Sequence, residues 1–430
     1  MASKTRYYLC IDMKSFYASV ECAERNLNPF ETNLVVADIT RGKNALCLAI
    51  SPKMKALGIK NRCRLSDIPC NVKYEIAPPR MRLYIEYAAD IYAIYLNYFA
   101  PQDIHVYSID ESFIDVTDYL GTYHTDAKSL AKELMNEIAN RLHIPSTAGI
   151  GNNLYLAKIA LDITAKHSKD HTGFLTEDLY REQLWDHKPI TDFWQIANGT
   201  AQRLEKYGIY TMRQIAQAPE NLMYRVFGIN AELLIDHAWG REPCLISDIK
   251  SYKTKSKSVS FSQILPRNYS FDEARIVMSE MVIHGCQELM RRKVITNKVW
   301  IGVSYANEEL MPSTHGSTRL PNASSVISLI HPTAMNLFDK TAKKGYLIRR
   351  LGISFEDICD EGCEGYDLFT DWGAIEKEKA REHTILEIMD KYGKNSLLRG
   401  TNYINGATQR ERNGMIGGHR AGNDDKTAKS

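Results

Sequence analysis

The stretch Tyr7-Tyr8-Leu9-Cys10-Ile11-Asp12-Met13-Lys14-Ser15-Phe16-Tyr17-Ala18-Ser19-Val20-Glu21 decides the reading of this chain. Tyr7–Ile11 is a short apolar run, too short for a helix and bounded by a carboxylate, so it predicts a buried strand ending at Asp12. A helix follows from Ser15 to Arg25. A second carboxylate pair, in Ser108-Ile109-Asp110-Glu111-Ser112-Phe113, lies between two strand-like segments, 105–108 and 113–116. Adjacent residues within an ideal strand point to opposite faces, so Asp110 and Glu111 converge only at a strand end or turn. Asp12 beside such a pair is an arrangement that holds two divalent cations about 3.5–4 Å apart, suited to in-line displacement at phosphorus. Oxygen ligands of this kind favour Mg²⁺, with Mn²⁺ as a substitute. An Asp after a strand also serves as a turn former or helix cap, and the carboxylates alone leave both readings open.

Working outward, residues 34–66 are rich in small and basic residues, with a helix over 52–57 stopped by Gly58. Tyr84, Tyr87, Tyr92, Tyr95 and Phe99 recur at helical spacing, which reads as packing against a sheet. Ala127–Leu142 is an amphipathic helix, and Ala148-Gly149-Ile150-Gly151 opens another strand-turn-helix reaching Ala165. Residues 1–165 therefore form an α/β domain. Residues 170–240 read as short helices with turns at Gly199, Gly208 and Gly228. The segment 250–257 reads as an exposed linker or edge strand, and 259–356 as a second α/β unit.

The whole chain is 430 residues with 44% hydrophobic and 25% charged residues, which excludes a collagenous or largely disordered protein. Roughly three or four folding units are expected at this length. Nine cysteines without a CxxC pair argue for reduced thiols rather than a zinc site. The absence of an apolar run of about 18 residues and of a signal-peptide core leads to the expectation of a soluble, cytoplasmic protein with no membrane partner. Net charge is only +2, yet residues 250–350 carry sixteen Lys/Arg against seven Asp/Glu, +9, and leave −7 for the remainder. Such a block is the footprint of a surface that neutralises phosphates.

Both carboxylate strings resemble motifs of the Y-family (translesion) DNA polymerases, UmuC-like branch (ImpB/MucB/SamB type), in family order. Gly149-Ile150-Gly151-Asn152-Asn153-Leu154-Tyr155-Leu156-Ala157-Lys158-Ile159-Ala160 looks like the third conserved stretch. The resemblance covers residues 6–360, and the tail segment 411–420 is similar to Gram-positive UV-damage-repair members. It implies an α/β multidomain fold, a right-hand polymerase with palm (1–36 and 80–168), fingers (37–79), helical thumb with helix-hairpin-helix turns (169–245), little finger (250–358) and a C-terminal tail (359–430).

The same resemblance implies Asp12, Asp110 and Glu111 as catalytic, metal-binding carboxylates for two Mg²⁺ ions, with the Met13 carbonyl as a further ligand. Tyr17 matches the steric gate that excludes a 2′-hydroxyl, and Phe16 sits beside it at the triphosphate; both aromatics also suit helix core. In the fingers, Ala49, Pro52 and Lys55 stand where many members carry Thr, Tyr and Arg. Lys55 keeps a point charge but not the bidentate fork of Arg. Lys166 matches the phosphate-binding lysine one residue late, a rotation of about 100° on an α-helix. In the thumb, Gln195-Ile196-Ala197 replaces the usual Gly-Ile-Gly, whereas Phe227-Gly228-Ile229 keeps its glycine.

Gly365-Tyr366-Asp367-Leu368-Phe369 resembles a sliding-clamp-binding peptide without its usual leading Gln, with Leu368 and Phe369 as anchors. Primer-template DNA, deoxynucleoside triphosphates, the sliding clamp and a UmuD-like or recombinase activator are the implied partners. The implied activity is error-prone translesion synthesis in DNA repair and the SOS response. The competing expectations are a clamp-tethered DNA-binding scaffold of the same fold with a decayed site, and a two-metal cyclase, to which the basic block would be superfluous.

Overall fold

The computed structural model describes residues 5–253, 257–363 and 371–422. These divide into two compact units, one formed by Met1–Tyr252 with His419–Ser430 and the other by Lys253–Gly418.

The first unit begins with β1 (Tyr8–Met13), α1 (Phe16–Ala23), β2 (Leu34–Ala37), β3 (Cys47–Ile50), α2 (Pro52–Ala56), β4 (Glu75–Ala77) and α3 (Met81–Leu96). It continues through β5 (Ile104–Val106), β6 (Glu111–Asp115), α4 (Tyr119–Thr122), α5 (Ala127–Leu142), β7 (Ser146–Gly151), α6 (Leu154–Ile159) and β8 (Thr172–Leu175). Five strands form one sheet in the order β5-β6-β1-β7-β8. The β1 strand is central, which explains its unbroken apolar run: Tyr8, Leu9, Cys10 and Ile11 are all buried. A smaller sheet, β3-β2-β4, carries α2 and its own core of Val35, Cys47, Ile50 and Met54. Ser51 caps α2 by accepting from the Met54 N–H, and Gly58 stops it at φ +81°, a turn that glycine adopts without a Cβ penalty.

The third conserved stretch has a packing reason. A Cβ on Gly149 would lie 2.1 Å from the Ala157 carbonyl oxygen, and one on Gly151 would lie 2.3 Å from the Ala157 nitrogen. These glycines let α6 sit directly on the sheet backbone. Asn153 caps α6 by accepting from Leu156 N–H at 2.8 Å and donates to the Gly240 carbonyl at 2.8 Å, tying the sheet domain to the helices that follow.

Those helices are α7 (Glu177–Gln183), α8 (Asn198–Glu205), α9 (Met212–Gln217), α10 (Glu220–Phe227), α11 (Asn230–Ala238) and α12 (Ile246–Ser251). All but α12 contribute to a core of Tyr155, Tyr180, Phe193, Met212 and Leu234. The expectation of a linker or edge strand at 250–257 is corrected in part: Lys250 and Ser251 finish α12, because Asp248 caps its first turn through the Leu245 N–H.

The second unit holds β9 (Ser258–Tyr269), α13 (Phe271–Arg291), β10 (Val294–Tyr305), β11 (Thr314–Ser324), α14 (Ile327–Thr341), β12 (Ile348–Glu356) and α15 (Trp372–Tyr392). Its antiparallel sheet runs β11-β10-β12-β9, with α13 and α14 on one face over a core that includes Val299, Ile301, Val303 and Phe338. The described part of the tail, 371–422, is folded. Glu280 of α13, 3% exposed, accepts from the backbone N–H of Thr408 and Gln409 at 2.8 and 3.1 Å, and fully buried Glu382 of α15 accepts from Arg399 at 2.8 Å. Each buried carboxylate is satisfied by tail donors, so ordering the tail is what makes their burial tolerable. The clamp-binding candidates Leu368 and Phe369 lie outside the described residues. No helix among the described residues is long and apolar enough to cross a membrane.

Candidate active site

Antiparallel pairing of β1 with β6 sets Asp12 opposite Glu111. Asp110 occupies the turn just before β6, where its carbonyl accepts the Met13 N–H at 2.9 Å and its carboxylate accepts from Ser108 Oγ at 2.6 Å. The strand-end geometry that lets Asp110 and Glu111 serve one site is therefore present. Glu111 is 8% exposed; its Oε1 receives Lys158 Nζ at 2.7 Å and the Cys10 thiol at 3.0 Å. Lys158, on α6, also reaches Asp162 at 3.1 Å, and is a buried member of the site that sequence reading quoted only as part of a motif. Burial, followed by the neighbouring charges of Asp110 and Glu111, pushes Asp12 up to about 7, against the opposing pull of Lys166 and Lys158.

Among the described residues no three His, Cys, Asp or Glu side chains already converge as a closed metal cage. The donor set nevertheless fits divalent cations: crowded carboxylates, one raised to about 7 by burial and then by its acidic neighbours, are a charge excess that a cation relieves. The Met13 N–H is committed to Asp110, and Met13 pairs with Ser146 across β1 and β7.

Beside the carboxylates, Ser15 adopts φ +51° at the start of α1, and its buried hydroxyl has no hydrogen-bond partner. Phe16 is buried, as helix core would be, while the Tyr17 ring contacts Phe16 at 5.7 Å and stacks on Tyr84 of α3 at 4.6 Å. Burial and then the charge of Asp110 raise the Tyr17 phenol pKa, so the hydroxyl lies within electrostatic reach of Asp110. Tyr84 is fully buried, in keeping with the aromatic stripe, but it also backs Tyr17. Its hydroxyl donates to Glu21 Oε1 at 2.7 Å; Arg80 grips both Glu21 oxygens at 3.0 and 2.7 Å, and Arg25 adds a further bond.

A cluster of cations faces the same end of the sheet. Lys55 lies within electrostatic reach of Asp12, Asp110 and Lys166; its ammonium pKa is lowered first by burial and then by Lys166. Lys14 shares a hydrogen bond with His171 Nδ1 at 2.8 Å, and sequence reading missed both. Lys166 is half exposed, pairs with Asp162 Oδ1 at 2.9 Å, and follows an irregular turn. Residues Ala160–Thr164 form a π-helical turn, followed by a 3₁₀ turn at Ala165–His167. A π turn takes up one residue more than an α turn, so side chains after it are rotated relative to an uninterrupted α-helix. Gly173 makes room for it, since a Cβ there would lie 2.4 Å from the Ala160 carbonyl oxygen. Ala49 is buried in β3 and Pro52 is the first residue of α2, so neither offers a side-chain donor.

In the helical part, Gln195 takes φ +68°, the left-handed conformation that glycine supplies elsewhere. Gly228 has φ +61°, and Ile229 after it is 79% exposed.

This sheet of carboxylates, flanked by lysines and a stacked tyrosine pair and followed by hairpin helices and a separate basic α/β unit, belongs to a known class. The impB/mucB/samB family profile matches residues 11–162, and the profile of that family's C-terminal domain matches 256–368. The chain belongs to the impB/mucB/samB family. Among solved structures it is similar to a Y-family DNA polymerase chimera of Dbh and Dpo4, with TM-score 0.63 and 20% identity, covering 82% of this chain and 99% of that one. The fold is that of the Y-family polymerases. Among curated proteins it is 31% identical to UvrX of Bacillus subtilis (strain 168), named as a UV-damage repair protein, over 96% of this chain and 97% of the relative. It is also 27% identical to DNA polymerase IV 2 of the same strain, over 97% and 99% respectively.

Proposed function

We propose that this chain is a DNA-directed DNA polymerase of the error-prone, translesion type, acting in DNA repair. The observation that carries the reading is the β1/β6 register that pairs Asp12 with Glu111 and brings Asp110 to the same strand end, with Asp12 raised to about 7 by burial and then by its acidic neighbours. When bound, two Mg²⁺ ions would activate the primer hydroxyl and neutralise the leaving pyrophosphate. Asp12, Asp110, Glu111 and the Met13 carbonyl are the residues that would hold them. The cluster of Lys55, Lys14 and Lys166 is arranged to receive the triphosphate, with Lys55 acting as a point charge where Arg is commoner. Tyr17 serves as the gate against a 2′-hydroxyl, and Phe16 as its neighbour at the triphosphate. Such catalysis consists of positioning and electrostatics, because phosphoryl transfer asks little covalent chemistry of the protein.

Palm, fingers, thumb and little finger are assigned to 1–36 with 80–168, 37–79, 169–245 and 250–358. Within this reading Leu368 and Phe369 dock on the sliding clamp, a UmuD-like or recombinase activator acts on the polymerase, and the protein works in the bacterial cytoplasm during the SOS response. The decayed-scaffold alternative, motivated by Ala49, Pro52 and the shifted Lys166, is not favoured, since the chain is similar over nearly its whole length to a relative named DNA polymerase IV 2. Primer extension on undamaged and thymine-dimer templates tests the reading. Wild type should extend both, and Asp110→Ala/Glu111→Ala neither; wild type that binds primer-template without adding a nucleotide would sink it.

A further inference from the structure

The helix-free face of the second unit's sheet is unusual in what it lacks. On β10, Val299, Ile301 and Val303 point into the core beneath α13 and α14, so Lys298, Trp300 and Gly302 point outward. Trp300 stands opposite Ser354 of β12 and Ser317 of β11, and Gly302 stands opposite Gly352 and His315. The outward surface around the indole is therefore built from serines and glycines. Two glycines in register on the two central strands weaken a sheet, and no turn or positive φ requires them here.

The indole explains them. A Cβ on Gly302 would lie 2.4 Å from Cη2 of Trp300, and one on Gly352 would lie 3.5 Å from Cζ3. Trp300 is thus folded down across both glycines, lying along the sheet rather than standing from it. The exposed ring of His315 runs nearly parallel to it, 26° between planes with centroids 6.3 Å apart. Rows of cations flank this seat. Lys298 stands opposite Arg319, and exposed Arg350 reaches Ser262 at 3.4 Å. The carboxylate beside Lys298, Glu356, is already paired with it at 2.8 Å. A flat aromatic ring on a shallow hydroxyl-bearing floor between cations is complementary to a strand that alternates planar or ring-shaped apolar groups with phosphates.

We propose that Trp300, seated on Gly302 and Gly352, is a stacking platform for a nucleoside of bound DNA, with the neighbouring phosphates taken by the Arg350 and Lys298–Arg319 rows. This rests on the DNA-polymerase reading and names a contact within it. The platform contributes a non-ionic part of DNA affinity, distinct from the counterion release that Lys and Arg provide.

The test is equilibrium binding of two labelled DNAs, a blunt duplex and a primer-template with an unpaired 5′ template strand, across a salt series. Trp300→Ala should weaken binding about 10-fold with no change in the slope of log affinity against log salt. Trp300→Phe should recover most of that loss, and Gly302→Ala should reproduce it by lifting the indole from its seat. Arg350→Ala should instead flatten the slope by about one phosphate contact. A Trp300→Ala loss on both DNAs places deoxyribose on the ring; a loss confined to the overhang places an unpaired base there. Wild-type affinity in both Trp300→Ala and Gly302→Ala would overturn the platform. If wild type extends primers while those variants bind normally, only the platform falls; if wild type neither binds nor extends, the polymerase reading falls as well.

Discussion

Tyr17 and Tyr84 lie ring on ring, their centroids 4.6 Å apart and their planes 22° from parallel, and the far side of the pair is tied to a buried carboxylate, Glu21. The gate candidate is thus backed by Tyr84 of α3. Tyr84→Ala should let the Tyr17 ring tilt and lower the preference for deoxynucleotides over ribonucleotides about 10-fold, while Tyr84→Phe keeps the stack and most of the preference. The measurement is the ratio of kcat/KM for the two nucleotide types. An unchanged ratio in Tyr84→Ala would show that Tyr17 needs no backing.

Glu21 also makes a stability prediction. Burial opposes its ionisation, but bonds from Arg80, Arg25 and Tyr84 outweigh this and hold its carboxyl below the ordinary value. A depressed pKa contributes stability that is present above the unfolded-state value and is lost as pH falls through the folded one. Glu21→Ala should therefore cost about 3 kcal/mol at neutral pH, and the gap from wild type should narrow under acid. Thermal melts from pH 7 down to about 3 would reveal either outcome.

Asp12 carries the opposite sign. Its folded pKa of about 7 means that near neutrality a share of the metal-free protein holds a proton there, which a divalent cation must displace. Mg²⁺ or Mn²⁺ binding should release a fraction of a proton at pH 7, and affinity should rise as pH increases through that value. Calorimetry in buffers of different ionisation enthalpy reads the proton directly. Asp110→Asn removes one repelling charge, so it should shrink the release; equal release in both proteins would contradict the electrostatic account.

The π turn predicts a phase effect. Inserting one alanine after Thr164 should swing Lys166 by about 100° and raise the KM for deoxynucleotides several-fold, as Lys166→Ala should. If the insertion is silent while Lys166→Ala is not, the turn is not what aims the lysine.

Much of this was legible without coordinates because it is local. The apolar run Tyr7–Ile11 reads as a buried strand, and Ala127–Leu142 has the helix bounds that its amphipathic periodicity indicates, with Asp126 capping it in the structure. The carboxylates are visible as residues following or interrupting apolar strands. Gly228 is visible as a turn, whereas the left-handed Gln195 is not, because its side chain argues for the right-handed region and only the surrounding hairpin imposes the other.

By itself, then, the sequence determined the strand-carboxylate motifs, the order of the α/β, helical and basic segments, and the resemblance that follows from them, all of which depend on residues near one another in the chain. Tertiary structure alone decided the Asp12–Glu111 register, the Glu21 carboxylate behind Tyr84, the π turn before Lys166, and the glycine seat under Trp300. Each of these depends on which backbone lies against which. Pairing register and close approach are set by the packing of segments distant in sequence, whose energies no local pattern carries.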